Sequence, residues 1–414
     1  MKQLLAYCLS IILCVSFTGC MENYLDLYPE DKITSASFPE NESDIKLLLN
    51  GVYAQLREKE VYNQGLFGFG ITDGATPNAF NWGTDEVFNK LGAGRLSSSD
   101  GGVVTYRWKR CYEIISRANY LLACMDLVDL SEEAKAKYSG ETHFLRGLAY
   151  SVLAETYGGV PIILTNISTE EARSLKRASL EETWQQALDD YEVAITNLGV
   201  DAPEPGRATK GAALGMKMRA YLYQGKYKEV LACVEQIDAL KKYGLFHSYE
   251  GLFDPANENN KEVLFDIQYI EGENSQGSYI DQYCGTGTGS WTRGSRYVPT
   301  DDLVAAYETI DGSPVDPENP YENRDPRLGF TAVLPGSYFL GYRFPNYLYP
   351  GGAFNHAGNR LKHLSTRKYR IQDESKLPPS GQSYINDIIL RYADVLLSKA
   401  EAIIETNLDQ NPGW

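Results

Sequence analysis

The chain has 414 residues, 43% of them hydrophobic, with 39 basic against 55 acidic side chains and a formal net charge of −16. That is ample apolar material for a sizeable core. No basic block interleaves with aromatics, so the electrostatic footprint of a nucleic-acid binder is missing and no nucleic-acid partner is expected.

The chain opens with Met1-Lys2 and an apolar run from Leu4 to Phe17. The run is too short to span a bilayer comfortably and fits the apolar region of a signal peptide. Ser16-Phe17-Thr18-Gly19-Cys20 follows, with small residues directly before a cysteine, as in a bacterial lipoprotein cleavage box. Residues 1–19 are therefore expected to be a lipoprotein signal peptide, with Cys20 as the lipidated first residue. Residues 20–41, polar and carrying Pro29 and Pro39, read as a lipid tether and docking arm. Cys8 and Cys14 would leave with the signal. The four cysteines beyond Cys20 contain no CxxC pair, so neither a disulfide framework nor metal-ligand spacing is present. Cys111, Cys124 and Cys233 fall inside helical patterns, as small core residues do.

From residue 42 helical period takes over. Ile45, Leu48, Leu49, Val52, Tyr53 and Leu56 share one face of a helix over 43–59, with Ser43 as its N-cap. Residues 61–100, rich in Gly, Asn, Ser and Asp, read as loop. Helical stretches follow at about 103–127, 131–157, 180–198 and 208–224, and a shorter one starts at Tyr227. The links between them are mostly short, which suggests a helical-repeat scaffold. The string Tyr221-Leu222-Tyr223-Gln224-Gly225-Lys226-Tyr227-Lys228-Glu229-Val230 has the pattern of a tetratricopeptide turn, in which Gly permits the bend and tyrosines fill the gap between helices. Residues 245–385 differ, being dense in Pro, Gly, Asn and Tyr with short apolar runs. Glu262–Ile267 reads as a strand and 300–309 as a brief helix headed by Asp301-Asp302. Helical period returns at 386–406, where Leu390, Ala393, Val395, Leu397 and Ala400 recur. The expected fold is mainly α: a tetratricopeptide-like scaffold over about 42–244 and 386–407, and a loop-rich, strand-poor part over about 245–385, in one domain from 42 to 414.

A series of strings, in order, resembles the SusD/RagB family of surface glycan-binding lipoproteins. Cys20 is followed by Leu25-Asp26-Leu27-Tyr28-Pro29 and Leu49-Asn50-Gly51-Val52-Tyr53. His143-Phe144-Leu145-Arg146-Gly147-Leu148-Ala149-Tyr150 leads into Tyr157-Gly158-Gly159-Val160-Pro161. Gly206-Arg207-Ala208-Thr209-Lys210-Gly211-Ala212-Ala213 precedes the Tyr221–Val230 turn. Asp311-Gly312 precedes Asn323-Arg324-Asp325-Pro326-Arg327-Leu328. Leu390-Arg391-Tyr392-Ala393-Asp394-Val395 comes last, with Ala400-Glu401-Ala402. The resemblance implies anchoring in the outer membrane by the lipid, a SusC-type TonB-dependent transporter as partner, and a captured glycan that is not cleaved. Family members continue well past the Ala-Glu-Ala helix, whereas a dozen residues remain here, so the sequence reads as a fragment or a shortened relative.

A sugar offers C–H faces and many hydroxyls, so its site needs flat aromatics beside Asn, Asp, Arg or Gln. Two loops answer that description. The first holds Asn78, Asn81 and Trp82; the second holds Tyr279, Tyr283, Trp291 and Arg293, around the glycine run 285–289. A third aromatic cluster, Tyr338, Phe339, Tyr342, Phe344, Tyr347 and Tyr349, is crowded enough to be a local core. Trp108 and Trp184 lie within helical periods and read as core. No HExxH, GxSxG or Cys-His arrangement occurs, and Gly285-Thr286-Gly287-Thr288-Gly289 is not GxGxxG. No catalytic residue, cofactor or metal is expected. Asp311 through Glu318 lacks EF-hand spacing and reads as a solvated turn, and Asn323–Arg327 as a turn with internal ion pairing. His143 reads as structural. The alternatives are a surface glycoside hydrolase, which needs only two carboxylates at a set separation, and a tetratricopeptide-type adaptor for peptide or protein.

Overall fold

The computed structural model describes residues 38–57, 73–81, 90–97, 99–272, 277–278, 280, 297–340, 342–343, 364–371, 373–379 and 382–410. The signal peptide, Cys20 and most of the tether lie outside them.

Helix α1 spans Glu42–Ala54 and runs on into a 3-10 turn, Gln55–Arg57. Its cap is Asn41 rather than Ser43: the Asn41 side chain accepts from the Ser43 and Asp44 amides, and Asp44 reaches back to the Asn41 amide. An amide oxygen placed there satisfies two otherwise orphaned donors. Strand β1, Ala79–Asn81, lies in the stretch read as loop. The long helices α2 (Val103–Met125) and α3 (Glu132–Tyr157) match expectation. A short α4, Thr169–Ser174, and α5, Leu180–Asn197, each start with a Ser-x-x-Glu capping box, at Ser168/Glu171 and Ser179/Glu182. Helices α6 (Lys210–Tyr223) and α7 (Tyr227–Ala239) form the anticipated tetratricopeptide-like hairpin. Gly225 sits between them at φ +66, and the Lys226 amide donates to the Tyr221 carbonyl at 3.0 Å. Only Gly takes that left-handed backbone without cost. Tyr221 and Tyr227 are both half-buried against the core.

The second half is built from short pieces: β2 (Val263–Ile267), β3 (Tyr297–Pro299), α8 (Asp301–Ala306), α9 (Arg327–Thr331), β4 (Ala332–Val333), β5 (Tyr338–Phe339), β6 (Tyr342–Arg343), β7 (Ser365–Thr366), β8 (Asp387–Arg391) and α10 (Tyr392–Gln410). Among the described residues the four strand pairs are antiparallel: β1 with β3, β2 with β8, β4 with β7 and β5 with β6. Two expectations change. Thr300, not Asp301 or Asp302, caps α8 by accepting from the Leu303 amide; the two aspartates fill its first turn. The periodic stretch from 386 begins as strand β8. Its Ile388-Ile389-Leu390 run fits either structure, and pairing with β2 decides the outcome.

Helices α1, α2, α3, α5, α6, α7 and α10 pack as successive neighbours over one continuous core, which also takes in Leu264, Phe265 and Ile267 of β2 and Ile389 and Leu390 of β8. Phe144 of α3 meets Phe265 edge-on at 4.9 Å, joining scaffold to ladder. Gly215 lets the ladder approach α6, since a Cβ there would stand 2.3 Å from the Leu390 side chain. Trp184 is buried, and Trp108 stacks against Tyr112 and Tyr157 at 5.0 and 5.2 Å, so both are core tryptophans. The three helical cysteines are free and buried.

The family strings turn out to be structural joints. The Arg146 guanidinium is clamped on Asp190 (Nη2–Oδ1 2.7 Å, Nε–Oδ2 3.0 Å) and donates to Asn119 at 2.8 Å. Asn119 in turn donates to the Ile163 and Thr165 carbonyls. The Tyr53 hydroxyl donates to buried Glu141 at 2.8 Å and accepts from the Ala208 amide, and Arg207 lies over the Tyr53 ring. His143 Nδ1 lies 2.8 Å from the Ser139 carbonyl, one turn back.

Candidate functional site

The first candidate loop is organised from Asp73 onward. The Asp73 carbonyl accepts from the Thr76 amide (3.1 Å) and the Thr76 hydroxyl (2.9 Å). The same hydroxyl accepts from the Asn78 amide at 3.2 Å. These bonds turn the chain into β1, where Ala79 faces Pro299, Phe80 faces Val298 and Asn81 faces Tyr297. From the far side Thr300 fastens the same stretch. Its amide donates to the Asn78 carbonyl at 3.1 Å, and its hydroxyl donates to the Pro77 carbonyl. Asn78 is exposed, as is Phe80 at 43%.

Of the residues expected to touch a ligand, Asn78 and Asn81 thus lie on one ladder. Trp82, Tyr279, Tyr283, Trp291 and Arg293 lie outside the described residues. The ladder still relates the two loops. Asn81 of the first loop and Tyr297, four positions beyond Arg293 of the second, are register partners.

The ground beside this ladder comes from segments distant in sequence. Strand β3 packs against β7, and the chain after β7 carries Lys368 and Tyr369. The Lys368 ammonium lies over the rings of Phe253 (4.5 Å), Tyr369 (4.7 Å) and Tyr249 (5.9 Å). Such ring faces attract a cation through their quadrupole. Tyr369 has φ +61, a backbone region that costs an L-residue roughly 1–3 kcal/mol and is found where a site fixes a side chain. Sequence reading missed Phe80, Lys368 and Tyr369. For Phe80 a signal was there, an aromatic between two asparagines. For the other two it was not.

Carboxyls gather at the β2–β8 ladder. Burial pushes the Asp73 carboxyl up, and the Lys368 ammonium partly offsets this. Burial, with Asp266 and Asp73 nearby, pushes Asp387 up to about 7. Glu258 is also pushed up to about 7, chiefly by burial and further by Asp266 and Asp254. Carboxyls that titrate near neutrality are what general acid–base chemistry draws on, but Glu258 and Asp266 are tied to one neighbour. The Asn386 amide donates to Glu258 at 2.8 Å and its side chain to Asp266 at 3.1 Å.

The other singled-out residues resolve as follows. Phe339 is buried in a small cluster with Val333 and Leu340, as a local core requires, whereas Tyr338 is 68% exposed. Tyr342 belongs to β6, and Phe344, Tyr347 and Tyr349 lie outside the described residues. Asp311 and Asp316 accept from the Ser313 and Glu318 amides in tight turns. Arg324 is buried and donates to the Val304, Tyr307 and Pro320 carbonyls, while Arg327 pairs with Asp325. Among the described residues no group of three or more His, Cys, Asp and Glu is arranged to hold a metal ion, and no helix is long and apolar enough to cross a membrane.

The scaffold, helical repeats with loops carried on short ladders, is of the tetratricopeptide-like class. A family model described as "Starch-binding associating with outer membrane" matches residues 23–222, and the SusD family model matches 261–414. The chain belongs to the SusD/RagB family. It is similar to a SusD-like carbohydrate binding protein from Bacteroides fragilis, at 27% identity and TM-score 0.77, over 88% of this chain and 74% of that one. A second SusD-like protein from the same organism matches at 25% identity and TM-score 0.76, over 92% of this chain and 78% of that one. The SusD-like protein P25 of Formosa agariphila is 26% identical over 72% of this chain and 58% of its own length. The chain thus spans little more than half of that relative.

Proposed function

We propose that this chain is a cell-surface lipoprotein, anchored through Cys20, that captures an oligo- or polysaccharide and delivers it to a SusC-type TonB-dependent transporter in the outer membrane. The observation that supports the capture role is the β1–β3 ladder, on which Asn81 of the first candidate loop is the register partner of Tyr297, four positions beyond Arg293 of the second. The exposed Phe80 and Asn78 on the same segment supply a ring face and an amide, the two chemistries a sugar needs. The similarity to a carbohydrate binding protein of B. fragilis supports the ligand class.

The magnitudes suit capture and release. Each aromatic contact adds about 0.5–1.5 kcal/mol beyond burial. Two or three, with a few hydrogen bonds, reach roughly the −4 to −8 kcal/mol of millimolar to micromolar affinity. The test is calorimetric titration of a glycan panel against protein starting after Cys20, with Asn78→Ala, Trp82→Ala and Trp291→Ala beside it. The expected outcome is binding weakened about tenfold by each tryptophan change, one aromatic contact's worth, without cleavage products. Products would replace capture by hydrolysis, and silence across the whole panel would sink the glycan reading.

A further inference from the structure

We propose that Thr300 is a positioning residue for the Pro77–Asn81 segment, and hence for the ligand contacts that segment carries; this deepens the capture reading above and rests on it. Strand β1 is weakly held on its own. It has three residues, and its ladder with β3 has two strands. A pair that small is marginal by itself. Ala79 is buried, while Thr76, Pro77, Asn78 and Phe80 are exposed. The partner strand is better founded. Val298 of β3 is fully buried, and β3 packs against β7. Thr300 is the single residue between β3 and α8.

From that junction Thr300 makes three bonds. Its amide donates to the Asn78 carbonyl at 3.1 Å. Its hydroxyl donates to the Pro77 carbonyl. The same hydroxyl accepts from the Leu303 amide at 3.1 Å, which caps α8. A hydroxyl has one proton and two lone pairs, so both roles run at once. The two carbonyls are consecutive and lie directly before β1. Held there, they fix the direction in which the chain enters the strand, and with it the aim of the exposed Asn78 side chain and Phe80 ring. Pro77 has no N–H, so its carbonyl is the one backbone group through which that residue can be hydrogen-bonded. The Asn78 amide is held by the Thr76 hydroxyl at 3.2 Å. The Thr300 hydroxyl thus ties the first turn of a helix to a ligand-bearing segment 223 positions away.

The two jobs of this hydroxyl come apart by substitution. Thr300→Ser keeps both. An ionised Asp accepts but cannot donate. Thr300→Asp therefore keeps the cap, for which Asp ranks at least as well as Thr, and loses the bond to Pro77. Thr300→Val keeps the shape and loses both. The probes are soluble α-glucan, β-glucan and xylan oligosaccharides, titrated calorimetrically near neutral pH. For whichever binds the wild type, Thr300→Asp and Thr300→Val should each bind about tenfold more weakly, one hydrogen bond's worth. Thr300→Ser should stay within about twofold. Of the three, only Thr300→Val should melt lower, by about 2 °C, as loss of a cap requires. A Thr300→Asp protein that binds like wild type reduces Thr300 to a helix cap and overturns the proposal, as does binding that falls only in step with melting temperature. Hydrogen exchange over 76–81 and 301–306 gives a second reading that needs no sugar. Thr300→Asp should exchange faster than wild type over 76–81 and like wild type over 301–306. If the wild type binds none of the probes, the capture reading has failed and exchange alone decides the positioning role. Unchanged exchange over 76–81 overturns it.

Discussion

Two clusters of buried charge, one in each half of this molecule, are balanced in different ways. In the helical half Arg146 and Asp190 close on each other, and Asn119 passes the remaining bond to backbone carbonyls. Here one positive group meets one negative group, on helices whose register is set by the core. In the loop-rich half Glu258, Asp266 and Asp387 meet at the end of the β2–β8 ladder with Asn386 and Gln268 between them, and protons do part of the balancing. A scaffold that must not move is held by ion pairs in low dielectric. A surface built from loops carries groups whose charge answers to the solvent.

The largest expected effect tests the first half of that contrast. Arg146→Ala leaves Asp190 buried without its partner and should cost about 3–5 kcal/mol in chemical denaturation. A loss below about 1 kcal/mol would show that water reaches Asp190 and that the pairing is not what holds α3 on α5. Next comes the acid ladder. Both carboxyls have folded pKa values raised to about 7. The folded state therefore keeps protons that the unfolded chain releases. Their stabilising contribution is complete below the ordinary carboxylate range, about pH 4, and is lost as pH rises through about 7. Melting temperature should accordingly fall between about pH 5 and pH 8. Asp387→Asn and Glu258→Gln should each flatten that fall and add roughly 1–2 kcal/mol near pH 8, after allowance for solvent screening. A pH-independent melt would break the contrast. The smallest effect belongs to a residue that neither half uses: Tyr338→Ala should shift stability by no more than about 0.5 kcal/mol, since that ring is 68% exposed.

The helices were legible because their information is local. The three-and-four spacing of Ile45, Leu49 and Val52 places them in the core whatever lies around them, and the Tyr221–Val230 string carries its own turn chemistry. Strand β8 was misread because Ile388, Ile389 and Leu390 fit a buried helix as well as a strand. What decides is a partner far away: Asn386 and Asp266 are 120 positions apart. The site was less legible for the same reason. Asn78 and Asn81 could be picked out as sugar-binding types, but the clamp on their segment joins Thr300 to Pro77 across 223 positions, and each strand of that ladder has three residues. Lys368 offers no sequence signal at all. Its meaning depends on Tyr249 and Phe253, which reach it only in the folded chain.

The three helical thiols give the molecule a clock. Burial pushes Cys111 up to about 12 and Cys233 up to about 11, so within the fold each is a closed, unreactive thiol, and Cys124 is likewise pushed up. Alkylation needs the thiolate in contact with solvent. Modification of these positions can therefore advance only while the helices are apart, and its rate reports how often, or for how long, the scaffold stands open.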